Sequence, residues 1–152
     1  MMNLGVEKAR ETMNKNIGGP FGAVILDKDL NVIACASNSV LGDCDPTAHA
    51  EINAIRIAGK KLNTHDLSGC TLYATGYPCP MCLSAIIWAN IKKVYYGCTK
   101  EDADKIGFRD DFIYKFIQDG ANDIEILELK QKDRDICIKL FEEYKNNNKK
   151  MY

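Results

Sequence analysis

The chain has 152 residues, 46% of them hydrophobic and 27% charged, and a formal net charge of −1. This composition predicts one globular domain with a sizeable core, and the weak charge gives no general attraction to nucleic acid or to anionic membranes. No apolar run approaches the length of a membrane span, and the first residues lack the apolar stretch of a signal peptide. The seven cysteines are an uneven number, whereas a disulfide framework needs cysteines in pairs. We therefore expect a cytoplasmic protein with reduced thiols.

Hydrophobic spacing predicts helices and strands that alternate along the chain. Four of the predicted helices cover about residues 2–17, 80–89, 112–117 and 131–147. A further helix is predicted directly after Thr47, which is its expected N-cap. The predicted strands cover residues 21–26, 30–36, 70–75, 91–97 and 124–129, and a turn at 27–29 joins the first two into a hairpin. This order predicts an α/β fold, a three-layer α/β/α sandwich with a five-stranded mixed sheet.

Two cysteines with the spacing of metal ligands follow the third predicted strand. Cys79 and Cys82 are three residues apart, so on a helix both thiolates lie on one face. Pro78 directly before them is typical of a helix start, where free N–H groups favour thiolates. His49 brings the protein ligands to three, the number at which zinc keeps a position open for water. The pattern predicts a catalytic site with one Zn²⁺ per chain.

Glu51 stands two residues beyond the predicted ligand His49. Residues two apart do not share a helix face, so both reach one ion only if the end of the helix faces it. As an acid that is not itself a ligand, Glu51 is the candidate to accept and donate the protons of the reaction. His-x-Glu followed by Pro-Cys-x-x-Cys is the pattern of zinc-dependent nucleobase deaminases.

Other interpretations of the cysteine pair remain open at this point. The pair is also typical of thioredoxin-like redox motifs, which need no His-x-Glu upstream. It also fits half of a structural zinc site completed by His49 and His65, although these are sixteen residues apart and structural sites prefer close ligand pairs. Two buried thiols without a metal are the third alternative. We expect His65 to be an exposed loop residue.

Longer stretches of the chain resemble a known family. Thr47-Ala48-His49-Ala50-Glu51 and Pro78-Cys79-Pro80-Met81-Cys82 resemble the motifs of the cytidine-deaminase-like zinc superfamily. Residues 18–25, 45–51 and 107–114 and the terminal Tyr152 extend the resemblance to bacterial guanine deaminases. It implies hydrolytic deamination of a free purine base, guanine, to xanthine and ammonia. It also implies a domain-swapped homodimer that exchanges the C-terminal helix and tail, about residues 131–152.

The resemblance also assigns roles to single residues. It implies that His49, Cys79 and Cys82 bind zinc, that Glu51 and Asp110 are catalytic, and that Asn38, the Ala50 backbone, Phe21, Asp110 and Tyr152 bind the base. Without the resemblance, Asn38 is a turn residue, Phe21 a core residue and Asp110 a solvated charge. Tyr152 is then a frayed chain end.

Two other functions remain open. A tRNA adenosine deaminase or a cytosine deaminase of the same superfamily shares the zinc motifs, and residues 130–150 carry seven Lys or Arg against four Asp or Glu. Such a local basic surface is compatible with nucleic acid, although the overall charge predicts no nucleic-acid partner. A non-enzymatic zinc module is the second alternative. Glu51 argues against it, because a structural site has no use for an acid beside an open position.

Overall fold

The computed structural model describes all 152 residues, which form seven helices and four strands. The helices are α1 (Met2–Asn14), α2 (Val40–Asp43), α3 (Ala50–Leu62), α4 (Pro80–Trp88), α5 (Lys100–Lys105), α6 (Asp111–Gln118) and α7 (Arg134–Asn146). The strands are β1 (Gly22–Leu26), β2 (Val32–Ser37), β3 (Thr71–Gly76) and β4 (Lys93–Cys98). The chain divides into two compact units, Met1–Asp110 and Asp111–Tyr152. None of the helices has the length and apolar content that a bilayer crossing requires.

The first unit contains a mixed sheet with the strand order β2-β1-β3-β4. Strand β1 is antiparallel to both β2 and β3, whereas β3 and β4 are parallel. A parallel pair needs a crossover connection, which α4 supplies between β3 and β4. The predicted hairpin turn is confirmed: Asp27 Oδ1 accepts hydrogen bonds of 2.9 Å from the backbone N–H groups of Asp29 and Asn31.

Helices cover both faces of this sheet, which confirms the three-layer architecture. All five residues of β1 are buried. On one face, a Cβ built on Gly5 of α1 would lie 3.7 Å from Val24 Cγ2. On the other face, Ala23 belongs to one core cluster with Ala54 of α3 and Ile86 of α4. The sheet therefore fixes α3 and α4 side by side on the same face, with their N-termini available for a shared site.

The predicted fifth strand at residues 124–129 was wrong, and the sheet has four strands. The reason is local. The Asp123 carbonyl accepts hydrogen bonds from the N–H groups of Ile126 and Leu127, both at 3.1 Å, and Asp123 Oδ1 accepts one from Glu125 N at 3.0 Å. These contacts bend the segment into a turn and occupy N–H groups that a sheet ladder needs.

The predicted N-cap of the third helix was also wrong. Thr47 donates both its backbone N–H and its hydroxyl to Asp45 Oδ1, at 2.8 and 2.7 Å, in an Asx-type turn. Its side chain is therefore engaged before the helix begins, and His49 takes the N-cap position of α3. The predicted helix at 112–117 is confirmed as α6. Helix α5 was not predicted, although Thr99 and Asp102 form a capping box that marks its start.

Candidate active site

The predicted metal ligands meet where α3 and α4 begin. His49 is the N-cap of α3 and Cys79 is the N-cap of α4, and both have extended backbone angles that end the preceding loops. Pro80 occupies the first position of α4, where its missing N–H costs nothing. The Cys79 thiol accepts a hydrogen bond from the backbone N–H of Cys82 at 3.5 Å, so the helix start itself orients the ligand pair.

The three side chains have the spacing of a tetrahedral zinc site. His49 Nδ1 lies 3.5 Å from Cys79 Sγ and 3.6 Å from Cys82 Sγ. Zinc bonds of about 2.0 Å to nitrogen and about 2.3 Å to sulfur at a tetrahedral angle place those atoms roughly 3.5 Å apart. Cys82 is fully buried and the other two are half-buried, so the group has one open side. The donors therefore fit Zn²⁺, and this is the predicted ligand set.

The charges at this group favour metal binding. Hydrogen bonding from the Cys82 side chain and from the His49 ring lowers the pKa of Cys79, against the opposing effect of burial, whereas the hydrogen bond to Cys79 and burial raise the pKa of Cys82, so Cys79 is the thiol of the pair that ionises first. The hydrogen bond to Cys79 raises the pKa of His49, and the negative charges of Cys79, Glu51 and Asp110 act in the same direction. A cation at this place is thus stabilised by several negative groups.

Glu51 lies in the first turn of α3, with only 7% of its surface exposed. Burial raises the pKa of its carboxyl, while a hydrogen bond to its own backbone N–H and the nearby His49 oppose the increase. A raised pKa makes a carboxyl group a better proton donor near neutral pH without removing its ability to accept a proton. The site therefore combines three metal donors with a buried acid that is not needed as a ligand.

Asn38 directly follows β2 and is 5% exposed. Its Oδ1 accepts hydrogen bonds of 3.2 Å from the backbone N–H groups of Gly19 and Val40. Residue 18 must be glycine for this arrangement, because a Cβ there would overlap the carbonyl and the Oδ1 of Asn38. With its oxygen held by two backbone N–H groups, Asn38 has its NH₂ group left for a ligand.

Phe21 is half-buried, packs against the core cluster and forms an aromatic wall with Phe108. The two rings are edge to face, with centroids 4.9 Å apart. Glycines flank the Phe21 ring: a Cβ on Gly19 would approach it to 3.1 Å and a Cβ on Gly76 to 3.3 Å. The absence of side chains at both positions leaves room for the ring in its present place.

The remaining predicted site residues are divided between the two units. Ala50 is fully buried and is the first residue of α3, so its N–H is one of the donors that a helix start leaves without an intrahelical partner. Asp110 is half-buried at the end of the first unit, and its charge acts on His49. Tyr152 ends the second unit with 85% of its surface exposed, and its role stays a prediction.

The histidine placement argues against a structural zinc site. His65 is exposed, as predicted, and only His49 joins the two cysteines in a group that could hold a metal. The redox interpretation has no need of the imidazole that lies against both thiols or of the buried Glu51 beside them. The geometry therefore favours the catalytic interpretation of the motif.

Comparison with known proteins decides the family. The profile of the cytidine and deoxycytidylate deaminase zinc-binding region matches residues 1–98, which contain all three donors and Glu51. The chain belongs to this deaminase family. The predicted resemblance is thereby confirmed, and with it the cytidine-deaminase-like fold and the zinc cofactor of the family.

Guanine deaminase from Bacillus subtilis resembles this deaminase over most of its length, in sequence and in structure. "Guanine deaminase" of Bacillus subtilis (strain 168) is 51% identical over 118 residues, which are 78% of this chain and 75% of that protein. A crystal structure described as guanine deaminase from Bacillus subtilis matches 99% of this chain and 96% of that one, with a TM-score of 0.91 and 43% identity. A tRNA-specific adenosine deaminase of Haemophilus influenzae is 40% identical over 90 residues, 59% of this chain and 52% of that protein.

The structure of this deaminase also adds residues that the sequence did not single out. Phe108 packs on Phe21 and stands two residues before Asp110, a contact that the aromatic residue in the 107–114 motif could have suggested. Asn53, in the second turn of α3, donates hydrogen bonds to the loop around Asn38. A polar residue on a half-buried helix is a weak sequence signal, because it is equally typical of a solvated face.

Proposed function

We propose that this deaminase hydrolyses guanine to xanthine and ammonia. One observation carries the proposal: the likeness to guanine deaminase covers 99% of the chain at a TM-score of 0.91, well beyond the zinc-binding region at residues 1–98. Asp110, which the resemblance assigns to base recognition, lies beyond the zinc-binding region and within the part of the chain that the longer match covers. The reaction adds water at the amino-bearing carbon of the base and releases the amino group as ammonia.

Glu51 carries the protons of this reaction. His49, Cys79 and Cys82 would hold a zinc ion, which would supply Lewis acidity and make hydroxide available at neutral pH. Glu51 accepts the proton of the attacking water, delivers a proton to a ring nitrogen of the base, and then assists the departure of ammonia. Its burial keeps competing water away from the carboxyl group, and its raised pKa suits both directions of transfer.

The chain's polar groups orient the base. Asn38 Nδ2 donates to an acceptor on the purine, since its Oδ1 is already held by two backbone N–H groups. Asp110 accepts from an amino or ring N–H group, and the free N–H of Ala50 donates to the base from the helix start. Phe21 forms one wall of the pocket, where an aromatic ring packs against the planar base.

A tRNA adenosine deaminase is the nearest alternative function. The likeness to the Haemophilus influenzae enzyme covers 59% of this chain, and the net charge of −1 provides little attraction to a polyphosphate substrate. Ammonia release from guanine, cytosine and a tRNA anticodon stem-loop, measured side by side with the zinc-loaded protein, tests the proposal. We expect rapid release from guanine alone. Release from the stem-loop with none from guanine would overturn the proposal, and no release from any substrate would favour a non-enzymatic zinc module.

Asp110→Asn is expected to lower kcat/KM for guanine by about 10- to 100-fold while zinc content stays unchanged. The substitution removes a charged acceptor for the N–H groups of the base but no metal ligand. Steady-state kinetics with zinc analysis measures both effects. Asp104→Asn is the matched control, because Asp104 is exposed and pairs only with Arg109 at 2.9 Å. Unchanged kinetics in Asp110→Asn would remove Asp110 from the site.

We also propose that the enzyme is a homodimer that exchanges its C-terminal segments. Each unit by itself leaves large apolar side chains uncovered. Trp88 on α4 is 74% exposed. On α7 of the second unit, Phe141 is 69% exposed, and Ile136 and Leu140 are exposed to a similar degree. An apolar helix stripe is usually buried against another element, and exchange of an element between identical chains is a low-cost way to bury it.

Deletion of Met151 and Tyr152 is expected to lower guanine turnover more than about tenfold, equivalent to at least about 1.4 kcal/mol of transition-state stabilisation. The proposal places the Tyr152 ring over the base in the partner's active site, where it excludes water and adds a directional hydrogen bond. Kinetics, zinc content and light scattering of the truncated protein measure the effect. Wild-type kinetics in a zinc-loaded dimer would show that Tyr152 is an ordinary chain end. Deletion of Met1 is the control for loss of a terminal residue.

We place the enzyme in the cytoplasm. The support is chemical: the two ligand cysteines must remain reduced to bind zinc, and all seven cysteines of the structure are free thiols.

A further inference from the structure

The side chain of Asn53 lies between the loop after β2 and the start of α3. Its Nδ2 is 3.0 Å from the carbonyl of Ser37 and 2.9 Å from Ser39 Oγ, the residues on either side of Asn38. The same nitrogen is 3.3 Å from the carbonyl of Ala48. Ser39 Oγ accepts from Asn53 because its own hydrogen is donated to Asp43 Oδ2 at 2.5 Å in the same network. One NH₂ group thus serves three acceptors on two segments.

These contacts join the base-binding loop to the metal-binding helix start. Ala48 directly precedes the ligand His49, and the backbone N–H of Asn53 donates to the His49 carbonyl at 2.9 Å. The backbone N–H of Ser39 donates to the Ala48 carbonyl, also at 2.9 Å. The loop and the N-terminus of α3 are therefore held at a fixed separation by one side chain and one backbone contact.

The position of Asn38 depends on this separation. Its carboxamide is held by the backbone N–H of Val40 within the loop and by that of Gly19 in the segment before β1, so it moves with the loop and this segment together. His49 and Glu51 move with α3. A displacement of the loop would therefore change the distance between the donor to the base and the groups that perform the chemistry. Misplacement of about 1 Å by a distant substitution can lower a rate by about 10²-fold.

We propose that Asn53 is a positioning residue that sets the distance between Asn38 and the catalytic end of α3. The inference rests on the proposed function, because it assigns Asn38 to the base. The side chain of Asn53 contacts Ser37, Ser39 and Ala48 but neither the donor atoms of the metal ligands nor the base, so its effect on the base passes through Asn38. Removal of Asn53 therefore weakens binding of the base only while Asn38 is present.

The first experiment replaces Asn53 by an isosteric acceptor. Asn53→Asp keeps the shape of the side chain but turns its NH₂ group into an oxygen that faces three other oxygens. We expect KM for guanine and the Kd for the product xanthine, measured by calorimetry, to rise about tenfold, with a smaller change in kcat and unchanged zinc content. Asn3→Asp is the matched control, because Asn3 is exposed in the first turn of α1, and we expect wild-type values for it.

A double-mutant cycle with Asn38→Ala separates positioning from general destabilisation. If Asn53 acts through Asn38, Asn53→Asp adds little to the loss already caused by Asn38→Ala. If Asn53 merely stabilised the fold, its substitution would lower the melting temperature, and its loss of kcat/KM would add to that of Asn38→Ala. Additive losses in kcat/KM would overturn the inference, and so would unchanged KM and Kd in Asn53→Asp. Neither result affects the proposed function, which depends on the guanine activity of the wild-type protein.

Ser39→Ala serves if Asn53→Asp fails to fold. It removes one acceptor and the link to Asp43 while it leaves the backbone contacts intact. A rise in KM and Kd in the same direction, abolished in the Asn38→Ala background, supports the inference, and wild-type values overturn it. A zinc-loaded wild type that does not deaminate guanine overturns the proposed function and this inference with it.

Discussion

Glu51→Gln is expected to lower kcat for guanine by about 10³-fold or more while the protein keeps its full zinc content. Glutamine has nearly the same size and shape as glutamate, so it fits the buried position without a cavity. It cannot accept the proton of the attacking water or return it to the base, and a positioned acid and base typically contributes about 10²- to 10⁴-fold. The whole loss should therefore fall on the chemical step rather than on metal binding.

Steady-state kinetics and metal analysis of the same preparation measure this result. Glu101→Gln is the matched control, because Glu101 is also an acidic residue in the first turn of a helix, α5, but is exposed. We expect wild-type kinetics for the control. Activity near the wild-type level in Glu51→Gln would show that another group carries the protons, and a parallel loss of zinc would show that Glu51 contributes to the metal site.

Cys82→Ala is expected to lose zinc and activity together, with metal affinity reduced more than about 100-fold. Cys82 is one of three protein donors, and substitution even of a residue that only supports a ligand lowers affinity by about 10- to 100-fold. The pKa of the neighbouring Cys79 would then be lowered less, because the hydrogen bond from the Cys82 side chain, which alanine lacks, is the largest cause of the lowering. Two remaining donors leave the metal readily exchangeable with water.

The test is zinc content after dialysis against a weak chelator, followed by guanine turnover with and without added zinc. Cys70→Ala is the control, because Cys70 is a buried core thiol outside the ligand group. Its substitution removes a sulfur atom, as Cys82→Ala does. We expect the control to keep one zinc and near wild-type turnover. Full zinc occupancy in Cys82→Ala would mean that the ligand set is wrong.

The metal motif could be predicted from sequence because its geometry is local. Cys79 and Cys82 lie one helical turn apart, and a proline beside them indicates where that turn begins. The two-residue spacing of His49 and Glu51 likewise predicts that a helix end, not its side, faces the metal. Only one long-range relation, the approach of α3 to α4, had to be added, and the resemblance to known deaminases supplied it.

The fifth strand shows why part of the fold could not be predicted. Residues 124–129 have the composition of a strand, but a strand exists only with a neighbour to pair with. In the structure, the Asp123 carbonyl and carboxylate take up the N–H groups of the segment instead. Thr47 illustrates the same competition, because Asp45 engages the side chain that was expected to cap α3.

The sequence by itself determined the helices that carry the ligands, the ligand types and the acid beside them, because each depends on residues within one or two turns. Only the tertiary structure decided what surrounds these groups. Gly18 makes room for Asn38, Phe108 supports Phe21, and Asn53 joins two segments fourteen residues apart. Such contacts follow from the strand order β2-β1-β3-β4, which brings distant residues together and leaves no periodic pattern along the chain.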